Sequence, residues 1–113
     1  MPLLKLQTSS EISNEDKLME SLSAAVSDVT GKPEQYIMIA LEKGTFMMGS
    51  KKAVAAFAEV RGIGGINREI NKKLSERICS IINEELGIPA ERIYINFFDI
   101  PASNWGWNSS TFG

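Results

Sequence analysis

Apolar residues recur in two stretches of the chain with the spacing of a helix that buries one face. Over 18–29 they follow the i, i+4, i+7 rhythm, and isoleucines and leucines form a second stripe over 70–86. Polar residues that can cap a helix precede both stretches. Ser13 with Asp16 can form a capping box, and Asn67 can cap the second stretch. The pattern therefore predicts two amphipathic helices.

Each helical stretch lies between two candidate strands, and the two sets are similar. Residues 30–39 resemble residues 86–95, since in both a glycine and, two positions later, a proline precede an isoleucine-rich alternating run. The glycines are 87 − 31 = 56 positions apart. Glycine ends a helix, proline prevents its resumption, and alternation begins a strand. Further strands are predicted at 2–8 and 53–60, with a short extra one at 45–48.

Two strand–helix–strand units predict one α/β (α+β) domain over 1–113, with an internal repeat at about 2–50 and 53–113. Short connections favour parallel pairing within each unit, which gives a mixed four-stranded sheet with both helices on one face. The strands at 36–41 and 93–98 carry nearly continuous apolar runs, typical of burial on both faces. We therefore expect another copy of the protein to cover the second face.

Charge and hydropathy exclude some partners. A net charge of −2 argues against nucleic acid, whose phosphates favour a basic surface. No apolar run approaches the ~20 residues that span a bilayer. The first residues turn polar too soon for a signal peptide, so we expect a cytoplasmic protein, with leaderless export left open.

The composition also limits the chemistry. The chain has no histidine and one cysteine, Cys79, which excludes Ser-His-Asp and Cys-His nucleophile systems, histidine zinc sites and multi-thiolate clusters. Cys79 lies in a helical stretch and is predicted to be a small core residue. An enzyme of this composition must move protons with a carboxylate, lysine, tyrosine, thiol or terminal amine.

Two further segments have alternative interpretations. The glycine-rich residues 61–67 form either a tight strand-to-helix turn or a loop whose N–H groups contact an anion. Trp105 and Trp107 lie near the C-terminus, where such costly side chains need burial. We expect them at an interface between copies or in a ligand pocket there.

Several segments together resemble the macrophage migration inhibitory factor group of the tautomerase superfamily, along nearly the whole chain. They are Met1-Pro2, Thr30-Gly31-Lys32-Pro33 with Gln35-Tyr36-Ile37, Gly62-Ile63-Gly64-Gly65, Asn67-Arg68, Arg92-Ile93-Tyr94-Ile95-Asn96-Phe97-Phe98-Asp99, and Gly106-Trp107-Asn108 with Ser110-Thr111-Phe112. The resemblance implies a homotrimer with three sites at subunit interfaces. It also implies keto–enol tautomerisation of phenylpyruvate-like 2-oxo acids, without a metal or organic cofactor.

The resemblance assigns roles by position. Pro2, freed by removal of Met1, is the implied catalytic base, and Lys32 is implied to bind the substrate. The backbone of Val60 is implied to line the site, to which a neighbouring subunit contributes Tyr94 and Asn96. The apolar side of the pocket is expected to comprise Leu3, Trp105, Trp107 and Phe112.

The expected mechanism needs a base that is free near neutral pH. An α-amine has a pKa of about 7.7–8.0, and burial together with the charge of Lys32 is expected to lower the pKa of Pro2. Two rivals stay open. One is another terminal-proline enzyme, a dehalogenase or decarboxylase, which needs added polar groups such as Arg61. The other is a cytokine-like binding protein with a relic site.

Two departures from the family pattern matter. Lys52 and Ala55 align with the Cys-x-x-Cys of animal members, so no thiol oxidoreductase activity is expected. Trp105 replaces a smaller aliphatic residue at the pocket rim, which leaves the substrate range open.

Overall fold

Two strand–helix–strand units follow one another in the computed structural model, which describes residues 2–113. The elements are β1 (Leu3–Thr8), α1 (Glu15–Thr30), β2 (Met38–Lys43), β3 (Ala56–Gly62), α2 (Arg68–Leu86) and β4 (Ile93–Asp99). The chain ends in a hairpin of β5 (Gly106–Trp107) and β6 (Ser110–Thr111). Within residues 2–113, no helix combines the length and apolar character that a membrane crossing requires.

The main sheet has the strand order β2-β1-β3-β4 and takes two strands from each unit. β1 pairs in parallel with β2, and β3 pairs in parallel with β4. The two units meet where β1 and β3 run antiparallel at the centre. The predicted mixed sheet with both helices on one face is thereby confirmed.

Both helices end as the repeated glycine signal predicts. Gly31 and Gly87 adopt left-handed backbone conformations, with φ of 74° and 70°, and their N–H groups bond to carbonyl oxygens of the last helical turn. Three equivalent pairs 56 positions apart are fully buried in the shared core: Leu18 with Leu74, Leu22 with Ile78, and Val26 with Ile82. The repeat therefore extends from the caps into the packing.

Two local predictions need correction and one is confirmed. Asn67 caps α2 through its side-chain oxygen, as predicted, but Asn14 rather than Ser13 caps α1, accepting from the N–H of Lys17. Asn14 stands one position nearer to the helix, so its amide oxygen reaches the first turn. Residues 45–48 form no strand beyond an isolated bridge from Met48 to Lys51. The carbonyl oxygens of both bridge residues accept from the Arg92 guanidinium, and this side chain organises the loop.

The face of the sheet away from the helices mixes apolar and charged side chains. β1 and β3 alternate between buried and partly exposed residues, because successive side chains of a strand point to opposite faces. On the open face Lys5 pairs with Glu42 at 3.3 Å, and Arg61 with Glu59 at 3.4 Å. The second copy expected over this face stays a prediction.

Candidate active site

A cleft of about 650 Å³ lies where β1 begins and β3 ends. These two points meet because the strands are antiparallel, with Leu3 opposite Arg61. The start of β2 closes one side, since Leu3 also pairs with Met38. The lining residues come from both units and from the C-terminal hairpin: Pro2, Leu3, Gln35, Tyr36, Ile37, Met38, Arg61, Ile100, Asn104, Trp105, Gly106, Trp107 and Phe112.

Pro2 is a buried residue of the cleft. Its carbonyl oxygen accepts a hydrogen bond of 3.1 Å from the N–H of Met38, which fixes the start of the chain against β2. Met1, whose removal the sequence predicts, lies outside the described residues. Pro2 is therefore fixed in the lining of the cleft, and its chemistry depends on whether its nitrogen is a free amine.

The C-terminal hairpin forms an aromatic wall of the cleft. Asn108 and Ser109 both have positive φ, 52° and 65°, which suits the tight turn between β5 and β6. This turn brings the Trp107 ring parallel to the Phe112 ring at 5.7 Å between centroids. Tyr36 meets Trp107 edge to face at 6.2 Å. Three aromatic side chains far apart in the sequence thus pack together.

The end of the chain holds this wall in place. Phe112 donates its N–H to the carbonyl oxygen of Trp105. Gly113 packs so closely on the turn Ala102–Asn104 that a Cβ there would lie 2.7 Å from the backbone nitrogen of Ser103. A side chain at position 113 would therefore force the backbone around it to shift.

The side chain of Lys32 lies against the glycine-rich loop, and Lys32 is not among the residues that line the cleft. Its ammonium donates to the carbonyl oxygen of Ile63 at 3.2 Å. Gly64 and Gly65 both have φ near 70°, and the Gly64 N–H bonds to a carboxylate oxygen of Asp99 at 3.1 Å. The loop forms the predicted tight turn, and an anion contact by its other N–H groups stays a prediction. The anion that contacts the Gly64 N–H is the protein's own.

Three other predicted site residues do not line this cleft. The side chain of Val60 is buried in the core beneath the sheet. Tyr94 and Asn96 lie on β4, opposite Phe57 and Glu59 of β3, and Tyr94 is 64% exposed. The structure thus brings Pro2 and the four predicted apolar residues together, and leaves the two β4 residues on an outer strand. Their predicted contribution to a neighbouring subunit's site remains a prediction.

Several lining residues were not predicted as site residues. Gln35 and Tyr36 belong to the resemblance motif and sit in the turn that precedes β2. Asn104 belongs to the turn before the hairpin. Arg61 is the most consequential, because it is the charged side chain in this set. Because side chains alternate along a strand, the sequence shows that Arg61 and Val60 lie on opposite faces of the sheet. That Arg61 lies near Pro2 becomes visible only from the pairing of β1 with β3.

The remaining reactive groups lie elsewhere. Cys79 packs against the core from α2, and burial raises the pKa of its thiol above the usual 9.0. Across residues 2–113, histidine, cysteine and acidic side chains form no group of three or more that could hold a metal ion.

Comparisons with known proteins place this architecture in a family. The family model described as macrophage migration inhibitory factor (MIF) matches residues 1–113. The macrophage migration inhibitory factor of Xenopus laevis is 36% identical over 99% of both chains, and the Trichuris trichiura homolog is 35% identical over 83% of each.

Solved structures agree. The macrophage migration inhibitory factor homologue from Prochlorococcus marinus superposes with a TM-score of 0.94 at 37% identity, covering 98% of this chain and 99% of that one. The MIF-like protein of Entamoeba histolytica superposes with a TM-score of 0.93 at 28% identity, covering 98% of each chain. The chain therefore belongs to the macrophage migration inhibitory factor family of the tautomerase superfamily.

Proposed function

We propose that this protein is a keto–enol tautomerase whose general base is the amine of Pro2, freed when Met1 is removed. The observation that carries the proposal is the position of Pro2, buried in a cleft with an aromatic wall. Tautomerisation moves one proton between carbon and oxygen, so one well-placed base and a group that holds the enolate oxygen suffice.

The surroundings of Pro2 favour the free base. An ordinary α-amine has a pKa of about 7.7–8.0 and is mostly protonated at pH 7. Burial disfavours the ammonium form, and a nearby positive charge does the same. In this proposal Leu3 and Trp107, which line the same cleft, exclude water from the amine, and the positive charge of Arg61 opposes its protonation.

The proposed substrates are small aromatic 2-oxo acids and their enols, such as phenylpyruvate. The Trp107 and Phe112 rings offer a flat apolar wall for an aromatic ring. Cationic side chains near the glycine-rich loop, including Lys32, suit the carboxylate. No cofactor takes part in the proposed reaction.

The proposed working unit is a homotrimer, located in the cytoplasm. Tyr94 and Asn96 stand on an outer strand with Tyr94 largely exposed, as residues that complete a neighbour's site would be. Light scattering at micromolar concentration is expected to give three times the chain mass. A folded, active monomer would contradict the interfacial site.

The test of the activity is the conversion of phenylenolpyruvate to the keto form by protein shown by mass spectrometry to lack Met1. We expect acceleration well above the buffer rate, reduced but measurable in Pro2→Ala, which keeps a primary amine if its own Met1 is removed. A folded, Met1-free protein without acceleration would contradict the proposal.

Arg61 favours a second candidate within the superfamily. A terminal-proline dehalogenase or decarboxylase needs a polar group beside the proline, and Arg61 lies there. Release of halide from a halogenated unsaturated acid, or of CO2 from a β-oxo acid, would support this candidate over the tautomerase.

The names of the relatives also favour a third candidate, a cytokine-like binding protein whose cleft no longer serves catalysis. This role predicts specific binding to cell surfaces that persists in Pro2→Ala and that does not require tautomerase activity.

A further inference from the structure

Arg61 occupies a position from which it faces both the open side of the sheet and the cleft. In the sheet, Arg61 lies opposite Leu3 of β1, the residue after Pro2, and opposite Phe98 of β4. Its neighbours Val60 and Gly62 are buried, so the Arg61 side chain projects to the opposite face. The side chain lines the cleft and is 33% exposed in the single chain.

The guanidinium is oriented but only weakly engaged. Its Cζ lies over the Phe98 ring, 4.5 Å from the centroid, which is a cation–π contact. Its hydrogen bond to Glu59 is long, at 3.4 Å, whereas charge-assisted bonds of this kind are usually 2.7–2.9 Å. A guanidinium has five N–H donors. Apart from Glu59, no residue in 2–113 accepts a hydrogen bond from it.

Arg61 is the cationic point of the cleft lining, and its partner Glu59, at 3.4 Å, lies outside that lining. Among the lining residues that the structure describes, Arg61 alone has a formally charged side chain at neutral pH. The walls around it are largely apolar, and a charge acts more strongly where water is partly excluded. Lys32, by contrast, is turned to the carbonyl oxygen of Ile63 outside the lining set.

We propose that Arg61 binds the carboxylate of the substrate and makes the site selective for acids over uncharged analogues. The planar fork of a guanidinium matches the two oxygens of a carboxylate, and Phe98 holds it in readiness for that contact. The proposal rests on the proposed function for its substrate class. The role assigned to Lys32 is compatible with it, since a carboxylate can accept from two cations.

The experiment compares matched charged and neutral ligands in matched variants. Calorimetry with 3-phenylpropanoate and 3-phenylpropanamide measures binding without turnover, and phenylenolpyruvate with its methyl ester measures kcat/KM. The variant is Arg61→Gln, with Arg61→Lys to keep the charge and lose the fork. Lys5→Gln is the control, because Lys5 lies on the same face, is equally exposed at 33%, and lies outside the cleft lining.

We expect Arg61→Gln to lose about 10- to 150-fold in affinity for the acid, the range of a charge-assisted contact, and less than twofold for the amide. The affinity of Arg61→Lys for the acid should lie between those of the unaltered protein and Arg61→Gln. Lys5→Gln should keep the full preference for the acid over the amide. In turnover the loss should appear mainly as a raised KM for the acid.

The binding arm separates this inference from the proposed activity. If phenylenolpyruvate is not turned over at all but the acid preference depends on Arg61, the tautomerase assignment fails and the anion site stands. An Arg61→Gln protein that folds and keeps its acid preference overturns the inference. So does an acid preference that Lys32→Ala removes and Arg61→Gln leaves intact.

Discussion

The two ends of the central strand pair are built from equivalent segments and have opposite properties. At one end β1 begins beside the end of β3, and the cleft containing Pro2 opens there. At the other end β3 begins beside the end of β1, and hydroxyl groups tie the strands together. Thr8 donates to the carbonyl oxygen of Ala55 at 2.8 Å, and Ser9 accepts from the Ala55 N–H at 3.2 Å.

Residues 56 positions apart occupy matching places in the two units, so the difference between the two ends can be compared residue by residue. Tyr36, which lines the cleft, corresponds to Arg92, whose guanidinium donates to four carbonyl oxygens: those of Met48, Lys51, Ala53 and Val54. Lys32 corresponds to Ile88, which is fully buried. The second unit uses these positions to hold a loop and fill the core, while in the first Tyr36 lines the cleft and Lys32 donates to the glycine-rich loop.

The comparison teaches that the two units share a frame, while the residues at matching positions have diverged between the cleft end and the closed end. Pro2 stands at the start of the chain, and the aromatic wall comes from the hairpin after β4.

Retention of Met1 would remove the chemical difference between the two ends, and we expect it to have the largest effect. With Met1 attached, the Pro2 nitrogen is an amide whose lone pair is delocalised, so it cannot accept a proton. Met1-retaining protein should be inactive to background while it folds normally. Mass spectrometry must accompany the assay, and full activity in wholly Met1-retaining protein would refute Pro2 as the base.

Lys32→Ala removes the charge at this position, so that it matches the uncharged Ile88 of the second unit. If the ammonium contacts the substrate carboxylate, its loss should lower kcat/KM by about 10- to 150-fold. Stability should change little, because the side chain is only partly buried. Thermal unfolding checks the fold, and unchanged kinetics with a carboxylate substrate would remove Lys32 from the site.

Arg92→Leu disrupts the closed end. Four carbonyl oxygens lose their donor, and we expect the free energy of unfolding to fall by about 1–3 kcal/mol, since most of these oxygens can bond to water instead. The control is Arg77→Leu, which loses only an exposed 3.4 Å pair with Asp28 and should cost about 0–1 kcal/mol. Equal losses in urea denaturation would contradict this role of Arg92.

Trp107→Leu tests the wall that distinguishes the cleft. The substitution removes the stacking on Phe112 and the edge contact with Tyr36. Aromatic pairs contribute about 0.5–1.5 kcal/mol, so KM for an aromatic acid should rise by about 2- to 12-fold. An aliphatic 2-oxo acid serves as the comparison, and an equal rise for both would show that the ring contact is not used.

Cys79→Ser gives α2 the residue that α1 has at Ser23, 56 positions earlier, and should have the smallest effect. Activity should be unchanged. Burial raises the pKa of the Cys79 thiol above 9.0, so the unfolded chain ionises first, and this group lowers stability only as the pH rises above about 9. In the serine variant, the free energy of unfolding should fall less steeply above pH 9. An unaltered fall would contradict the raised pKa of the Cys79 thiol.

Local signals account for what the sequence predicts well. Gly31 and Gly87 end their helices because few other residues adopt a left-handed conformation cheaply. Apolar periodicity fixes which helix face is buried, as Leu22 and Ile78 illustrate. Parallel pairing within each unit follows from the order of elements.

The loop at 45–48 and the cleft position of Arg61 depend on non-local contacts, whereas the cap of α1 differs from its prediction by one position, Asn14 for Ser13. The run 45–48 is apolar enough to suggest a strand, but Arg92, more than 40 positions away, bonds to the backbone of that loop. The sequence offers Arg61 only as a possible polar group for a rival enzyme, and its place in the cleft follows from the pairing of β1 with β3. Pro2 and Lys32 were assigned by resemblance, because neither residue is distinctive in its local sequence.

At high chain concentration, refolding is expected to compete with aggregation through the outer strands β2 and β4. Each pairs with one neighbour in the main sheet, so each leaves one row of backbone N–H and C=O groups unpaired there. Such edges bind other chains, and a partly folded chain does not discriminate between partners. The yield of native protein should therefore rise as the chain is diluted, until assembly becomes limiting.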